Sequence, residues 1–405
     1  MTPIALTEIE EAAELLRGVT ACTPVEASGA LSELAGTPVV LKCENLQRTG
    51  SFKLRGAYVR LSRLTAEERA RGVVAASAGN HAQGVALAAR ELGISAVVYM
   101  PVGAALPKLA ATRGYGAEVR QEGADLAGAL VAAQREAADS GRVYIPPFDH
   151  RDVVLGQATI GLEILDQVPE VRTILVPTGG GGLLAGVAAA VHARGADVRV
   201  VGVQAAGAAA FPASLTAGHP VPVERMSTIA DGIAVPAPSE LTLGIVREHG
   251  TEVRTVSEES IARALLLLSE RAKLVVEPSG AAGVAALLDA VPGVEGPVAV
   301  VLSGGNVDTL VLHRILRHGL VAAGRYLQME VRVPDQPGSL AGLLGVLAGT
   351  GSNVVSINHD RTSAELGVAE VQIGVEVETR GTDHCREVVT ALRDEGYGVV
   401  FQSVG

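Results

Sequence analysis

The stretch Thr173-Ile174-Leu175-Val176-Pro177-Thr178-Gly179-Gly180-Gly181-Gly182-Leu183-Leu184-Ala185-Gly186 joins an apolar run to four consecutive glycines and an Ala/Leu-rich segment. The apolar run at 173–176 predicts a buried parallel strand, and the segment at 183–193 predicts a helix. Glycines at such a junction let the backbone approach a ligand closely, with free N–H groups and the positive end of the helix dipole directed at it. We expect this turn to hold a phosphate group; a flexible linker is the alternative.

This turn matches neither of two common phosphate-binding motifs. No Gly-Lys-Ser/Thr follows the glycines, as a P-loop requires. Leu184 stands where a GxGxxG pattern counted from Gly179 needs its last glycine. A phosphate monoester on a small cofactor therefore fits the turn better than the ligands of those motifs.

The same alternation of strand and helix continues through most of the chain. Short β-branched runs followed by Ala/Leu-rich segments predict the α/β class, with open parallel sheets covered by helices on both faces. Thr7 and Glu10 have the spacing of a capping box at the start of a first helix. Strand-like runs lie at 73–76, 96–100, 173–176, 198–203 and 297–302, and helical patterns at 83–92, 124–138, 183–193 and 260–271.

The pattern changes near Gly324. The order becomes strand, helix, strand, strand, helix, strand within about 80 residues, which is the ferredoxin-like βαββαβ order. We expect a first domain of residues 1–322 and a separate C-terminal domain of residues 326–405. Its strands are predicted at 327–333, 353–358, 368–378 and 397–402, and its helices at 339–348 and 383–395.

The composition excludes several classes of protein. The chain has 405 residues, 48 % of them hydrophobic and 19 % charged, which is long enough for two or three folded domains. Its net charge is −11 and its Lys and Arg residues are scattered, which argues against a nucleic-acid partner. The 3 cysteines are predicted to be reduced thiols in the core. Residues 173–191 are uncharged, but Pro177 and the glycines argue against a membrane span, and the absence of a signal-peptide pattern predicts a cytoplasmic protein.

A lysine lies where a turn enters a predicted helix. Lys53 follows the turn at Thr49-Gly50, in the run Ser51-Phe52-Lys53. Desolvation beside the positive end of a helix would lower the pKa of this lysine enough for its amine to act as a nucleophile. The alternative is an ordinary surface lysine at the start of a helix.

Small and polar residues follow the predicted strand at 73–76. Ser77, Asn80 and His81 stand at the carboxyl end of this strand, where hydroxyl, amide and free N–H groups can bind a carboxylate. The alternative is a capped turn in which Ser77 or Asn80 binds only the backbone. His81 is not expected to bind a metal, because no second ligand stands at a helical or turn spacing.

A second glycine turn, Ser303-Gly304-Gly305-Asn306, follows the predicted strand at 297–302. Alone it is as consistent with a simple turn as with a site. Together, the four places put a reactive amine, a phosphate-binding loop, an anion-binding turn and a lone hydroxyl at the ends of strands, where ligands bind in open α/β sheets. This combination predicts pyridoxal phosphate as the cofactor.

The four motifs, in this order, resemble those of the fold type II family of pyridoxal-phosphate enzymes, and within it the threonine/serine dehydratases, or ammonia-lyases. The resemblance spans roughly residues 5–320 and implies a catalytic domain of two subdomains, the smaller at about 48–148 inserted in the larger. It also implies the activity, which is β-elimination of L-threonine to 2-oxobutanoate and ammonia, with L-serine as a secondary substrate.

The resemblance also implies roles for particular residues. Lys53 would be joined covalently to the aldehyde of the cofactor and would act as the base that takes the α-proton, with Phe52 beside the ring. Asn80 would contact the phenolic oxygen of the ring, and Ser303 the pyridine nitrogen. The implied phosphate contacts are Gly179, Gly180, Gly181, Gly182 and Leu183, and the implied substrate contacts are Ser77, Asn80 and His81.

The C-terminal segment resembles an ACT domain, a regulatory module that often binds amino acids. Asp335 and Gly338, in the turn between its first strand and helix, would contact an effector. Isoleucine, valine and a nucleotide are the alternatives for this effector, and a simple dimerisation module is the alternative to an effector site. We expect a homodimer or homotetramer.

Three positions differ from relatives that racemise serine. Ala78 stands where those relatives carry a serine that protonates the opposite face of the carbanion, so racemisation is expected to be weak or absent. Gln204 and Ala210 stand where they carry carboxylates for a divalent ion, so no tightly bound magnesium or manganese is expected. A serine racemase, a β-replacement enzyme and an amino-acid sensor with a silent catalytic domain are the alternative functions.

Overall fold

The computed structural model describes residues 2–290, 294–361, 367 and 369–400. The chain divides after Leu312 into two compact units, and each contains a hydrophobic core of its own. The predicted domain limits at 322 and 326, and the inserted subdomain at about 48–148, stay predictions.

The first unit is built on two sheets. Its strands are β1 (Val25–Ala27), β2 (Val39–Lys42), β3 (Val73–Ala76), β4 (Ala96–Met100), β5 (Glu118–Gln121), β6 (Val143–Tyr144), β7 (Thr173–Pro177), β8 (Arg199–Ala205), β9 (Glu252–Val256) and β10 (Val298–Val301). Six of them form a sheet in the order β1-β2-β10-β7-β8-β9, in which β1 pairs antiparallel with β2 and the other pairs are parallel. The other four form a parallel sheet in the order β5-β4-β3-β6.

Helices follow most of these strands, which confirms the predicted α/β class. Strands β3, β7 and β10 are buried along their whole length, because helices cover both faces of such sheets. The helices are α1 (Leu6–Leu16), α2 (Gly29–Ala35), α3 (Lys53–Ser62), α4 (Ala66–Arg71), α5 (Asn80–Glu91), α6 (Leu106–Gly114), α7 (Leu126–Ser140), α8 (Arg151–Gln167), α9 (Gly182–Ala193), α10 (Ala210–Ala217), α11 (Glu240–Glu248), α12 (Glu258–Leu267) and α13 (Pro278–Leu288). Helix α14 (Thr309–Ala322) contains the division after Leu312.

Glycines bring three of these helices close together. A Cβ atom on Gly186 of α9 would lie 2.7 Å from the backbone nitrogen of Ala158 of α8. One on Gly156 of α8 would lie 2.6 Å from the carbonyl oxygen of Arg55 of α3. Only 2 % of the residues are aromatic, so backbones at close approach, rather than large side chains, give the interior its density. Helix α3 is thereby held firmly against α8.

Four chain segments meet where the two sheets of the first unit end. The carboxyl ends of β3, β7 and β10 each lead into a polar or glycine-rich turn. An isolated antiparallel bridge between Ser51 and Gly304 ties the start of α3 to the turn after β10. The predicted motifs therefore lie at one edge of the fold, as the parallel topology requires.

The second unit has the predicted ferredoxin-like order. Its elements are β11 (Tyr326–Pro334), α15 (Ser339–Gly349), β12 (Asn353–Asp360), β13 (Glu370–Glu378), α16 (Thr382–Asp394) and β14 (Gly398–Val400). They form an antiparallel sheet in the order β12-β13-β11-β14. Residue 368 of the third predicted strand and residues 401–402 of the fourth lie outside the described residues.

Two sequence-based expectations are wrong in detail. Helix α1 starts one residue before Thr7, and it is Glu8, not Glu10, whose carboxylate accepts a hydrogen bond from the Ala5 amide, at 3.0 Å. Cys43 is buried as expected, but Cys22 is exposed, and a surface thiol is not part of the core. Among the described residues, no helix combines the length and the apolar character needed to cross a membrane.

Candidate active site

A cavity of about 380 Å³ lies at the carboxyl ends of β3, β7 and β10. Residues from both sheets of the first unit line it, together with the start of α3. Every residue that the sequence predicts for cofactor or substrate binding in this unit reaches the cavity wall. They are Phe52, Lys53, Ser77, Asn80, His81, Gly179, Gly180, Gly181, Gly182, Leu183 and Ser303.

Lys53 is the first residue of α3, and its amine lies inside the cavity. Its Nζ atom donates a hydrogen bond to the Pro147 carbonyl oxygen at 2.9 Å and lies 5.1 Å from the centre of the Phe52 ring. The Phe52 amide donates to the Ser303 carbonyl oxygen at 3.1 Å, which anchors the start of the helix. Burial lowers the pKa of Lys53 to about 8, against the attraction of Glu277. A larger fraction of this amine than of an ordinary lysine is therefore unprotonated near neutral pH, as a nucleophile requires.

The glycine turn between β7 and α9 is held from outside through its carbonyl groups. The Gly180 carbonyl oxygen accepts a hydrogen bond from Thr242 Oγ1 at 2.7 Å, and that of Gly179 accepts one from Gln204 Nε2 at 3.5 Å. Gly181 caps the helix with a φ of 92°, which favours glycine. The first N–H groups of a helix have no partner within it, so α9 directs unpaired donors at the cavity.

Two aromatic rings pack against this turn and leave no room for side chains. A Cβ atom on Gly180 would lie 2.3 Å from Cε1 of Phe148, and one on Gly181 would lie 2.4 Å from Cζ of Phe211. Half of the 4 phenylalanines in the chain are thus used here. A rigid, bare backbone with free N–H groups is suited to bind phosphate.

The turn after β3 has features both of a ligand-binding turn and of a capped turn whose side chain binds the backbone. The Ser77 Oγ atom accepts a hydrogen bond from the Gly79 amide at 3.1 Å, as in a capped turn, although Ser77 also lines the cavity. His81 is buried and its Nε2 atom lies 2.9 Å from the Ile145 carbonyl oxygen. Burial and the charge of Lys53 lower the pKa of His81 to about 3. His81 is therefore neutral at physiological pH and donates Nε2–H to Ile145.

Two serine side chains also line the cavity. Ser303 is 3 % exposed and Ser279 is 1 % exposed, and both line the cavity. Within the described part of the chain, the Ser279 Oγ atom has no hydrogen-bond partner. A buried hydroxyl without a partner is unfavourable unless a ligand completes its hydrogen bonds.

Glu277 is a site residue that sequence reasoning missed. It precedes α13, is 5 % exposed and lines the cavity. Its Oε1 atom accepts a hydrogen bond from Asn80 Nδ2 at 2.6 Å. Burial and the neighbouring Asp231 raise the pKa of Glu277 to about 7. A glutamate directly before a proline in an apolar stretch, Val275-Val276-Glu277-Pro278, is the signal that could have identified it.

A salt bridge across the wall of the cavity was also missed. Lys108 of α6 and Asp231 both line the cavity, and Lys108 Nζ lies 2.8 Å from Asp231 Oδ2. Nothing in the sequence pairs residues so far apart. Phe148 could have been noticed, because phenylalanine is so rare in this chain.

The two positions compared with metal-binding relatives have ordinary structural partners. The Gln204 Oε1 atom accepts a hydrogen bond from the Phe211 amide at 2.9 Å, and Ala210 is buried. No group of three or more His, Cys, Asp or Glu side chains suited to a metal ion occurs within residues 2–290, 294–361, 367 and 369–400. That the protein needs no divalent ion remains a prediction.

The predicted effector residues lie in a separate cavity of about 230 Å³ within the second unit. Asp335 and Gly338 both line it, and so does Arg361, whose Nη2 atom donates to Asp335 Oδ1 at 3.0 Å. The cavity therefore offers one carboxylate and one guanidinium side by side.

The residues of the first cavity fit pyridoxal phosphate. The bare glycine turn can hold the phosphate, Lys53 can join the aldehyde, and the hydroxyls of Ser279 and Ser303 can bind polar atoms of the ring. Two observations indicate that a ligand binds here. They are the unpartnered Ser279 hydroxyl and the glycine turn packed against Phe148.

Comparison with known proteins identifies relatives over nearly the whole chain. The chain is 46 % identical, over 396 residues, to a protein of Thermotoga maritima named L-threonine ammonia-lyase. The aligned region covers 98 % of this chain and 99 % of the relative. Such identity over such a length shows a common fold and family.

Two solved structures are equally similar to the chain but differ in name. One is maize serine racemase, with a TM-score of 0.73 and 34 % identity over 78 % of this chain and 98 % of that chain. The other is threonine deaminase isoform 2 from Solanum lycopersicum in its processed form, with a TM-score of 0.73 and 34 % identity over 78 % of this chain and 94 % of that chain. The fold alone therefore does not separate racemisation from elimination.

The family model described as pyridoxal-phosphate dependent enzyme matches residues 16–304. This range contains the lysine, the glycine turn, the polar turn after β3 and the serine after β10. The chain belongs to the family of pyridoxal-phosphate dependent enzymes.

Proposed function

We propose that this protein is an L-threonine ammonia-lyase, which converts L-threonine to 2-oxobutanoate and ammonia and L-serine, more slowly, to pyruvate and ammonia. One observation carries the proposal: the amine of Lys53 and the glycine turn at 179–183 line the same cavity. The name of the Thermotoga maritima relative, at 46 % identity, supports elimination as the reaction.

Lys53 binds the cofactor and moves the proton. Pyridoxal phosphate, when bound, supplies the sink for the electrons that are released when the α-C–H bond breaks. The free amine of Lys53, displaced by the substrate amine, is the base that takes the α-proton. Its lowered pKa, about 8, suits this exchange, because an amine of ordinary lysine pKa would be protonated near neutral pH.

The remaining residues bind and orient the cofactor and the substrate. The backbone at 179–183 holds the phosphate, and Ser77, Asn80 and His81 contact the substrate or ring. The β-hydroxyl leaves as water, and water then hydrolyses the released enamine to the 2-oxo acid and ammonia. Ala78, in the cavity wall, offers no proton to the opposite face of the α-carbon, which favours elimination over racemisation.

The C-terminal unit is proposed to bind an amino-acid effector at Asp335 and Gly338. The carboxylate and guanidinium in its cavity complement the two charges of a free amino acid, which supports this site over the dimerisation alternative. We further propose that the protein is a cytoplasmic homodimer or homotetramer, and its free cysteines agree with a reducing compartment.

The lysine content of the chain makes a direct test possible. The chain has four lysines, at positions 42, 53, 108 and 273. Borohydride reduction of the protein loaded with pyridoxal phosphate, followed by peptide mapping, should find the cofactor on Lys53. Lys53→Ala should abolish the visible absorbance band and lower turnover of L-threonine by about 10²- to 10⁴-fold or more, since both the attachment and the base are lost.

Two other lysines are the controls. Lys273 is exposed and outside the cavity, so Lys273→Ala should keep the band and the turnover. Lys108 lines the same cavity, so labelling of Lys108 in place of Lys53 would overturn the proposal. So would a Lys53→Ala protein that still forms 2-oxobutanoate at the wild-type rate.

A further inference from the structure

Three polar residues in the cavity wall form a continuous series of hydrogen bonds. The Asn306 Nδ2 atom donates to the Thr49 carbonyl oxygen at 2.7 Å and to Asn80 Oδ1 at 2.8 Å. Asn80 Nδ2 in turn donates to Glu277 Oε1 at 2.6 Å. Asn80, Asn306 and Glu277 all line the cavity.

In this series of hydrogen bonds, the Thr49 carbonyl group fixes which atom donates and which accepts at each step. The Thr49 carbonyl can only accept a hydrogen bond, so Asn306 must turn its nitrogen toward it. The same nitrogen faces Asn80, so Asn80 must present its oxygen to Asn306. The nitrogen of Asn80 then faces Glu277, whose carboxylate oxygen accepts. The hydrogen-bond partners therefore assign the nitrogen and the oxygen of both side-chain amides.

The orientation leaves one donor of Asn80 unused. Its Nδ2 atom carries two hydrogens, and one of them is bound by Glu277. The other has no partner among the residues that the structure describes. Tight packing limits movement of the pair, since a Cβ atom on Gly304 would lie 2.5 Å from Glu277 Oε1 and 3.0 Å from Asn80 Nδ2.

We propose that Asn306 and Glu277 are positioning residues that hold the Asn80 amide with its nitrogen toward the cavity, so that Asn80 donates to an anionic oxygen of the bound cofactor. This inference rests on the proposed function, because it assumes that the cofactor occupies the cavity. Reversing the Asn80 amide would place its oxygen against that anionic oxygen and exchange an attraction for a repulsion. Asn306 acts from one side of Asn80 and Glu277 from the other.

Exchange of single atoms tests the orientation. Glu277→Gln keeps an oxygen that can accept from Asn80, so the orientation survives. Asn306→Asp replaces the donor by a carboxylate that can only accept, so the Asn80 oxygen loses its donor. Asp and Glu277 then compete for the Asn80 nitrogen, and the orientation is no longer fixed. In the double variant the Gln amide can donate to the reversed Asn80, so the reversed orientation is fully hydrogen-bonded. A role of the carboxylate charge alone predicts the opposite, which is that Glu277→Gln rescues Asn306→Asp.

The measurement is the dissociation constant of pyridoxal 5′-phosphate for the cofactor-free full chain, with the absorbance spectrum of the bound form. We expect Glu277→Gln to bind within about threefold of wild type, and Asn306→Asp about tenfold or more weakly, as for loss of one hydrogen bond. The double variant should bind no more tightly than Asn306→Asp. The absorbance maximum should shift in the two Asp-containing variants and stay in place in Glu277→Gln.

The outcomes that overturn the proposal are equally specific. They are wild-type affinity in a folded Asn306→Asp protein, a loss in Glu277→Gln as large as in Asn306→Asp, or recovery of affinity in the double variant. Thermal unfolding of the cofactor-free proteins shows whether each variant is folded. Failure of wild type to bind the cofactor would refute the proposed function and not the positioning.

A second set of variants applies if Asn306→Asp does not fold. Asn306→Ala and Glu277→Gln each remove one of the two constraints on Asn80, so each alone should have a small effect. Together they release the amide, and the loss of affinity should exceed the product of the two single losses. Losses that simply multiply would show that the two residues do not act through Asn80.

Discussion

At the residue scale, the cavity depends on the unusual state of a single amine. Lys53 lies among groups that remove water from it, and burial is the cause of its lowered pKa, about 8. The attraction of Glu277 opposes this lowering and is the smaller of the two effects. Capture of an aldehyde requires the unprotonated amine.

The pH dependence of cofactor capture tests this pKa. Below pH 8 the amine is mostly protonated, so the rate at which the cofactor-free protein captures pyridoxal phosphate should rise about tenfold per pH unit and level off above about pH 8. Stopped-flow absorbance measures the rate. A midpoint near 10.4, the value of an ordinary lysine, would contradict the burial of the amine.

A second residue-scale prediction concerns Ala78. Ala78→Ser places a hydroxyl in the cavity wall, where Ala78 has no proton to give. We expect formation of D-serine from L-serine to rise about 10²-fold over wild type, the lower end of what a positioned acid contributes. Chiral analysis of the products measures it, and pyruvate formed in the same sample shows that the enzyme is loaded. Equal D-serine from both proteins would refute the role of this position.

At the element scale, helix α3 is held in place by buried charges as well as by glycines. Arg55, two residues after Lys53, is 1 % exposed and donates to Glu44 at 2.8 and 2.9 Å and to Glu163 at 2.6 and 2.9 Å. Lys42 of β2 shares Glu163, with 2.5 Å between Nζ and Oε2. Two positive and two negative groups thus compensate one another, all buried except the partly exposed Glu163, and they join α3 to β2 and α8.

Removing the Arg55 guanidinium from this cluster should lower the free energy of unfolding. Arg55→Met leaves two carboxylates facing Lys42 alone, and loss of one partner of a buried pair costs about 3–5 kcal/mol. Urea unfolding followed by circular dichroism measures the change in the free energy of unfolding. The control is Arg135→Ala, which removes an exposed pair with Glu122 at 2.6 Å and should cost at most about 1 kcal/mol. Equal losses in the two variants would show that the cluster does not stabilise the fold.

The continuous apolar strands were well predicted, whereas partly exposed strands such as β5 and β9 were not recognised from the sequence. The runs that became β3, β4, β7 and β10 are continuous and apolar, which is why they could be recognised. Helix α1 begins at Leu6 because Glu8, rather than Glu10, reaches back to an unpaired amide. Several nearby residues can cap a helix equally well by sequence, and tertiary contacts select among them.

At the scale of the whole molecule, the two units carry separate cavities. One holds the amine of Lys53 and the glycine turn, and the other holds Asp335 and Arg361. Coupling between two such sites is a free energy of about 1–3 kcal/mol in regulated proteins, or a change of roughly 5- to 150-fold in affinity. The proposed effector site is therefore best tested through the effect of candidate amino acids on catalysis.

The corresponding prediction concerns free amino acids. L-isoleucine should lower turnover of L-threonine at subsaturating substrate. L-valine is tested in the same way as the second candidate effector. Asp335→Asn removes the charge that we propose to bind the ammonium of an effector, and should weaken isoleucine binding about tenfold, as for loss of a charge-assisted bond. Calorimetry measures this binding, with Asp383→Asn, at an exposed position of α16, as the control. Indifference of wild type to both amino acids would refute the effector site.

The sequence by itself determined the α/β class and the ferredoxin-like order of the second unit, and it predicted Lys53 and the turns that line the cavity. Strand periodicity, glycine runs and small polar residues after a strand are local features, and each can be recognised within a dozen residues. Only the tertiary structure decided that Glu277 faces Asn80, across 197 positions of the chain, and that Lys108 reaches Asp231. Contacts of this kind form between segments that are far apart in the chain and belong to different sheets and loops, and no local pattern encodes them.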